Sequence, residues 1–218
     1  MNVGSRTETG HVRRRNEDAL LVAGEAGLFV VADGLGGHPA GDVASETAVR
    51  RLREVLAGPA AERLPSDPVE RLVSAVAEAH EAVVAEAGRA PGRTGMGTTV
   101  VVVQTSADTA WVAHVGDSRC YLLHDGRLEQ VTRDHSMAGY LTQALGLDGD
   151  VRPDLESVRL APGDRLLLCT DGLTNMVDDD EIAALLGAGS AQEACDRLTE
   201  AALAAGGVDN VTTVVLVA

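Results

Sequence analysis

An α+β fold is what this sequence predicts, on three observations. Strand-like and helix-like segments are gathered in blocks instead of alternating one for one, which disfavours a βαβ arrangement. Two long stretches, Gly41 to Leu56 and Pro68 to Ala87, repeat apolar residues at helical spacing. The segment from Thr98 to Val131 breaks instead into short strands separated by turn residues.

Residues 2 to 9, 20 to 22 and 28 to 32 have strand character, and Leu28-Phe-Val-Val-Ala is apolar enough to be buried on both faces. The first helix then carries Val43, Ala44, Thr47, Ala48, Leu52 and Val55 on one side, and the second carries Leu72, Val73, Val76, Ala79 and Val83. A Pro-rich connection over residues 58 to 68 separates them. Strands at 98 to 104, 109 to 115, 118 to 124 and 127 to 131 read as an antiparallel meander, with Asp125-Gly126 as its hairpin signal. A further strand at 164 to 170, helices at 179 to 186 and 191 to 205, and a Val-rich strand at 211 to 217 complete the chain. Residues 1 to 218 are expected to form a single domain.

A formal net charge of −15 argues against nucleic acid or an anionic membrane as partner, because both are polyanions. Cys120, Cys169 and Cys195 are odd in number and lack CxxC spacing, so neither a disulfide framework nor a zinc site is expected. Apolar runs such as Val100 to Val103 are too short to span a bilayer. The expectation is a soluble protein of the reducing cytoplasm.

Aspartates stand beside glycines or small residues in five places: Asn16-Glu17-Asp18, Asp33-Gly34, Gly116-Asp117-Ser118, Thr170-Asp171-Gly172 and Asp209-Asn210. Carboxylates converging from separate strand ends supply the rigid oxygen ligands that hard divalent cations require, and the chain reads as a metal-dependent hydrolase. A single Asp-Gly is most simply a turn. Asp33 and Asp171, however, each follow a continuous apolar strand with no mirror strand behind it, so a hairpin does not explain them. Arg13, five residues before Asp18, would place a phosphate-binding guanidinium near a metal-binding carboxylate, although Arg14 and Arg15 compete for that part by spacing. His38 is either a helix-start residue or a proton donor near the metals. His11, His80, His114, His124 and His135 have no ligand spacing. The acidic run Asp178 to Glu181 is assigned to a helix N-terminus, and Ser118 and Cys169 lack the sequence context of a covalent nucleophile.

Eight ordered motifs complete the reading: Gly10-x-x-Arg13-x-x-Asn16-Glu17-Asp18, Asp33-Gly34-x-Gly36-Gly37-His38, Gly95-Met-Gly97-Thr98-Thr99, Val115-Gly116-Asp117-Ser118-Arg119, Thr132-x-Asp134-His135-Ser136, Leu141-Thr-x-Ala-Leu-Gly146, Asp171-Gly172 and Asp209-Asn210-Val-Thr. In this order they resemble the PPM-type metal-dependent protein serine/threonine phosphatases, the protein phosphatase 2C family in its bacterial form. The resemblance implies a four-layer α-β-β-α sandwich with two central antiparallel sheets and a Mn²⁺ or Mg²⁺ centre of two core ions with a weaker third. It implies that Asp33 bridges both ions, that Asp171 and Asp209 complete the first, that Asp18 and the Gly34 carbonyl serve the second, and that Asp117 helps hold the third. Arg13 would bind phosphate and His38 would protonate the leaving alkoxide. The implied reaction is in-line attack of a metal-activated water on phosphoserine or phosphothreonine of proteins, substrates of a Ser/Thr kinase, by a monomeric enzyme. One departure stands out: only Met137-Ala-Gly-Tyr140 lies where bacterial relatives carry a flap segment. That shortening keeps two other readings open, a phosphoprotein-binding regulatory module on a phosphatase scaffold and a hydrolase of small phosphate esters.

Overall fold

Alternation along the strands divides the apolar residues among three cores, and that division builds the layers. One sheet contains β1 (Asn2–Glu8), β12 (Val211–Val217), β11 (Arg165–Cys169), β6 (Arg119–His124) and β7 (Arg127–Gln130) in that order. The other contains β10 (Asp154–Arg159), β5 (Thr109–Val115), β4 (Val100–Ser106), β3 (Leu28–Asp33) and β2 (Asp18–Ala23). Every pairing in both sheets is antiparallel. This computed structural model describes residues 1–36, 40–147, 149 and 151–218.

Phe29, Val31, Val101, Val103 and Val112 point from the second sheet toward Cys120, Leu166, Leu168, Val214 and Leu216 of the first, forming the inter-sheet core. Their neighbours Leu28, Val30, Val100 and Val102 point the other way, onto α1 (Gly41–Leu56) and α2 (Pro68–Ala87). On the outer face of the first sheet, Tyr121, Leu167 and Val215 pack against α3 (Asp171–Thr174), α4 (Asp179–Leu186) and α5 (Ala191–Ala204). The result is the expected α-β-β-α sandwich. Helix starts follow local chemistry: Asp67 accepts from the Val69 and Glu70 amides with Pro68 in the first turn, and Ser190 and Glu193 form a capping box. Among the described residues no helix is long and apolar enough to cross a membrane.

The expected meander from 98 to 131 is divided. β5 pairs with β4 and β10, whereas β6 pairs with β7 and β11. Gly116, at φ +105°, takes the chain from one sheet to the other through the Gly116-Asp117-Ser118 turn, a conformation that L side chains rarely adopt. β10 gave no sequence signal because it is a polar edge strand without apolar alternation. The shortened segment forms a hairpin, β8 (Ser136–Met137) with β9 (Tyr140–Leu141), turned by Ala138 and Gly139 at positive φ.

Candidate active site

Asp18 begins β2 and stands opposite Asp33, which ends β3. Asp171 follows β11 as the first residue of α3, Asp209 precedes β12, and Asp117 lies in the turn between the sheets. Arg13, Asp33, Asp117, Asp171 and Asp209 line one cleft of about 330 Å³, whose remaining wall includes Leu35, Tyr140, Leu141 and Leu147. A larger groove of about 570 Å³ between α1 and α2 has Arg51 paired with Glu54 and Glu78, and Arg89 paired with Glu86, and offers no comparable convergence.

Backbone and hydroxyl donors fix these carboxylates. The Asp33 amide donates to Thr99 Oγ1 at 3.0 Å, and the Thr99 amide returns a bond to the Asp33 carbonyl at 2.9 Å. Gly34 threads a narrow gap: its amide donates to the Glu17 carbonyl at 3.1 Å, and a Cβ there would stand 2.3 Å from the Gly41 carbonyl oxygen. Asp18 Oδ2 accepts from Thr212 Oγ1 at 2.6 Å and Thr170 Oγ1 at 2.9 Å. Its other oxygen, Oδ1, is buried without a hydrogen-bond partner. Asn175 Nδ2 donates to Asp171 Oδ2 at 3.0 Å, and Arg13 donates to Asp209 Oδ2 at 2.6 Å.

The electrostatics are those of crowded anions. Burial pushes the Asp18 carboxyl up to about 7, with Asp171 and Asp209 adding to the rise against the bonds from Thr212 and Thr170. Asp33 is raised well above the ordinary carboxylate range, first by burial and then by Asp18, Asp171 and Asp209. The bond shared by Asp33 and Asp171 adds to the rise of the former and opposes the rise of the latter. Burial and Asp171 lift Asp117 to about 6. Clustered oxygen donors, mutual repulsion and an orphaned carboxylate oxygen fit a hard divalent cation of the Mg²⁺ or Mn²⁺ kind, and among the described residues the donor set contains no sulfur or imidazole.

Arg13, Asp18, Asp33, Gly34, Asp117, Asp171 and Asp209 are thus brought together, while His38 lies outside the described residues. Asp178 caps α4 by accepting from the Glu181 amide, as its position suggested. Ser118 is buried and bonded to Thr99 Oγ1, and burial pushes the Cys169 thiol up to about 12, which leaves neither as a nucleophile. Several supporting residues escaped sequence reasoning. Asn210 straps the Arg13 loop to β12: its Oδ1 accepts from the Glu17 amide, and its Nδ2 donates to the Thr9 and Arg15 carbonyls. Asn210 and Thr212 were visible in the motif around Asp209, but nothing in spacing reveals a hydrogen-bond partner. His114 and His135, expected to lack ligand partners, are stacked with ring centroids 4.6 Å apart because the loop before β8 folds back on the end of β5, where the His135 amide donates to the Gly116 carbonyl.

A family model described as protein phosphatase 2C matches residues 7–205. The chain belongs to the protein phosphatase 2C family. It is 36% identical to the serine/threonine phosphatase stp of Listeria welshimeri, over 99% of this chain and 95% of that protein. It is 34% identical to the serine/threonine protein phosphatase PstP of Mycobacterium tuberculosis over 99% of this chain, but spans only 44% of that protein's length. Among solved structures, the PstP catalytic domain in complex with two manganese ions superposes with a TM-score of 0.87 at 35% identity, covering 98% of this chain and 96% of that one. PppA of Pseudomonas aeruginosa gives a TM-score of 0.87 at 38% identity, with 98% and 95% covered. Membership of the protein phosphatase 2C family accounts for the sandwich and for the aspartates gathered at one cleft.

Proposed function

We propose that this chain is a metal-dependent protein serine/threonine phosphatase, and the observation that carries the reading is the convergence of Asp33, Asp117, Asp171 and Asp209 with Arg13 at one cleft, next to Asp18 with its orphaned carboxylate oxygen. When bound, Mn²⁺ or Mg²⁺ would activate the attacking water and neutralise charge on the phosphoryl group. Asp33, Asp171 and Asp209 would hold one such ion, and Asp33, Asp18 and the Gly34 carbonyl a second. Asp117, which lines the same cleft, would help to hold a third. Arg13 binds the phosphoryl oxygens through the guanidinium nitrogens that Asp209 leaves free. His38 delivers the proton to the leaving serine or threonine oxygen.

The substrates are phosphoserine and phosphothreonine proteins made by a Ser/Thr kinase, and the enzyme is a single-domain cytoplasmic monomer. Its three unpaired, buried cysteines support a reducing compartment. The test is hydrolysis of a phosphothreonine peptide and of p-nitrophenyl phosphate with Mn²⁺, with Mg²⁺ and after chelation, beside Asp33→Ala. Peptide turnover that needs metal and disappears in the variant is the expected result. Metal binding without turnover would overturn it in favour of a phosphoprotein-binding module, and turnover of the small ester alone would favour a small-ester hydrolase.

A further inference from the structure

A second group of metal-ligand side chains lies outside the aspartate cluster. His114 near the end of β5, His135 just before β8 and Asp154 at the start of β10 each offer a ligand atom, all within 4.8 Å of one another. His114 and Asp154 face each other across the β5–β10 ladder. Both imidazoles are buried, whereas Asp154 is half exposed, so an ion has a route in and a water could complete its shell.

The hydrogen-bond accounting points to a ligand. His114 Nε2 meets the Arg133 carbonyl at 2.8 Å, so it carries the ring proton and leaves the Nδ1 lone pair free. A backbone carbonyl on the far ring nitrogen is the usual support of a metal-bound histidine. Burial also lowers the His114 pKa, which favours the neutral ring. His135 is only 9% exposed, yet its Nε2 has no hydrogen-bond partner. Asp154 Oδ2 lies 3.3 Å from that nitrogen, in ion-pair range but outside hydrogen-bond geometry. Two ligands of a tetrahedral zinc ion with bonds of about 2.0 Å stand about 3.3 Å apart.

We propose that His114, His135 and Asp154 form a site for a borderline divalent cation, Zn²⁺ being the best match, separate from the aspartate cluster. Two imidazoles and one carboxylate suit zinc or cobalt and disfavour Mg²⁺ and Mn²⁺, which prefer all-oxygen shells. Occupancy has a consequence for the catalytic cleft. The Gly116 amide donates to His135 Nδ1 at 3.3 Å, so that nitrogen now presents its lone pair. An ion on Nε2 displaces the proton from that nitrogen onto Nδ1, which can then no longer accept from Gly116. The bond is lost from the turn that presents Asp117.

Cobalt(II) titration of Mg²⁺-saturated protein tests the site, because tetrahedral nitrogen-containing sites absorb visible light far more strongly than octahedral oxygen sites. Wild type should develop an intense saturable band that Zn²⁺ removes, and Asp33→Asn should keep it. Asp154→Ala should lose the band and bind Zn²⁺ more than about ten-fold more weakly. His135→Gln serves the same purpose should Asp154→Ala fail to fold. Absence of the band in wild type, its full survival in the folded Asp154→Ala or His135→Gln protein, or its loss in Asp33→Asn would overturn the proposal.

Discussion

Arg13 donates to Asp209 Oδ2 at 2.6 Å across 196 positions of sequence, tying the loop before β2 to the loop before β12. The two side chains are 37% and 27% exposed, so solvent screens the pair and its contribution to stability is under about 1 kcal/mol. Its importance is positional. Arg13→Ala should therefore leave the melting temperature nearly unchanged while raising KM for a phosphopeptide about ten-fold or more, as expected for loss of a charge-assisted hydrogen bond. Arg13→Lys should recover only part of this, since an ammonium lacks the planar fork. Steady-state kinetics decide it: an unaltered KM in Arg13→Ala would remove Arg13 from phosphate binding.

Asp33 sits among like charges, and its carboxyl is raised by burial and by Asp18, Asp171 and Asp209. Neutralising it should therefore have opposite effects with and without metal. In chelator, Asp33→Asn should melt at a higher temperature than wild type by a margin that grows with pH, because wild type must either hold a proton on Asp33 or bear its buried charge and asparagine needs neither. With Mn²⁺ it should lose both turnover and the metal-induced rise in melting temperature. Calorimetric scans of both proteins under both conditions check the reversal, and a variant that Mn²⁺ stabilises as strongly as wild type would contradict the role given to Asp33.

Much of this architecture was legible in the chain. Apolar periodicity placed α1 and α2, and the uninterrupted runs ending at Asp33 and Cys169 marked buried strands whose ends carry acids. The sheet assignment of 98 to 131 was not legible, because strand patterns are the same whether the next strand pairs or crosses to another sheet. β10 was hidden for want of apolar alternation. At the site, acids beside glycines were visible from composition and order. The threonines on Asp18 and the Asn210 strap are long-range partners, and only the fold brings them into contact.

Thr212 offers a sharper test of that buried support. Its hydroxyl donates to Asp18 Oδ2 at 2.6 Å, one of two bonds that hold down a carboxyl otherwise raised by burial. Thr212→Val keeps the shape and removes the donor. Asp18 should become more basic, and Mn²⁺ affinity should fall about ten-fold, the equivalent of one hydrogen bond to a charged group. Isothermal titration at neutral pH measures this directly, and unchanged affinity would mean that Asp18 does not serve the metal.

The pH dependence of the metal-free protein follows from the same crowding. Asp18 and Asp117 titrate at about 7 and about 6 in the folded chain, above the ordinary 3.8, and Asp33 and Asp171 are raised as well. Folding thus favours their protonated forms. That stabilisation is complete below the unfolded value and is lost as pH climbs through the folded values, because the folded chain then holds protons that the unfolded chain would release. In chelator, the melting temperature should fall from about pH 5 to about pH 8, the opposite of the usual aspartate case. Mn²⁺ takes over the neutralising role of those protons, so saturating metal should flatten or reverse the slope. A chelated protein whose melting temperature stays level or rises over this interval would show that the carboxylates are not crowded as described.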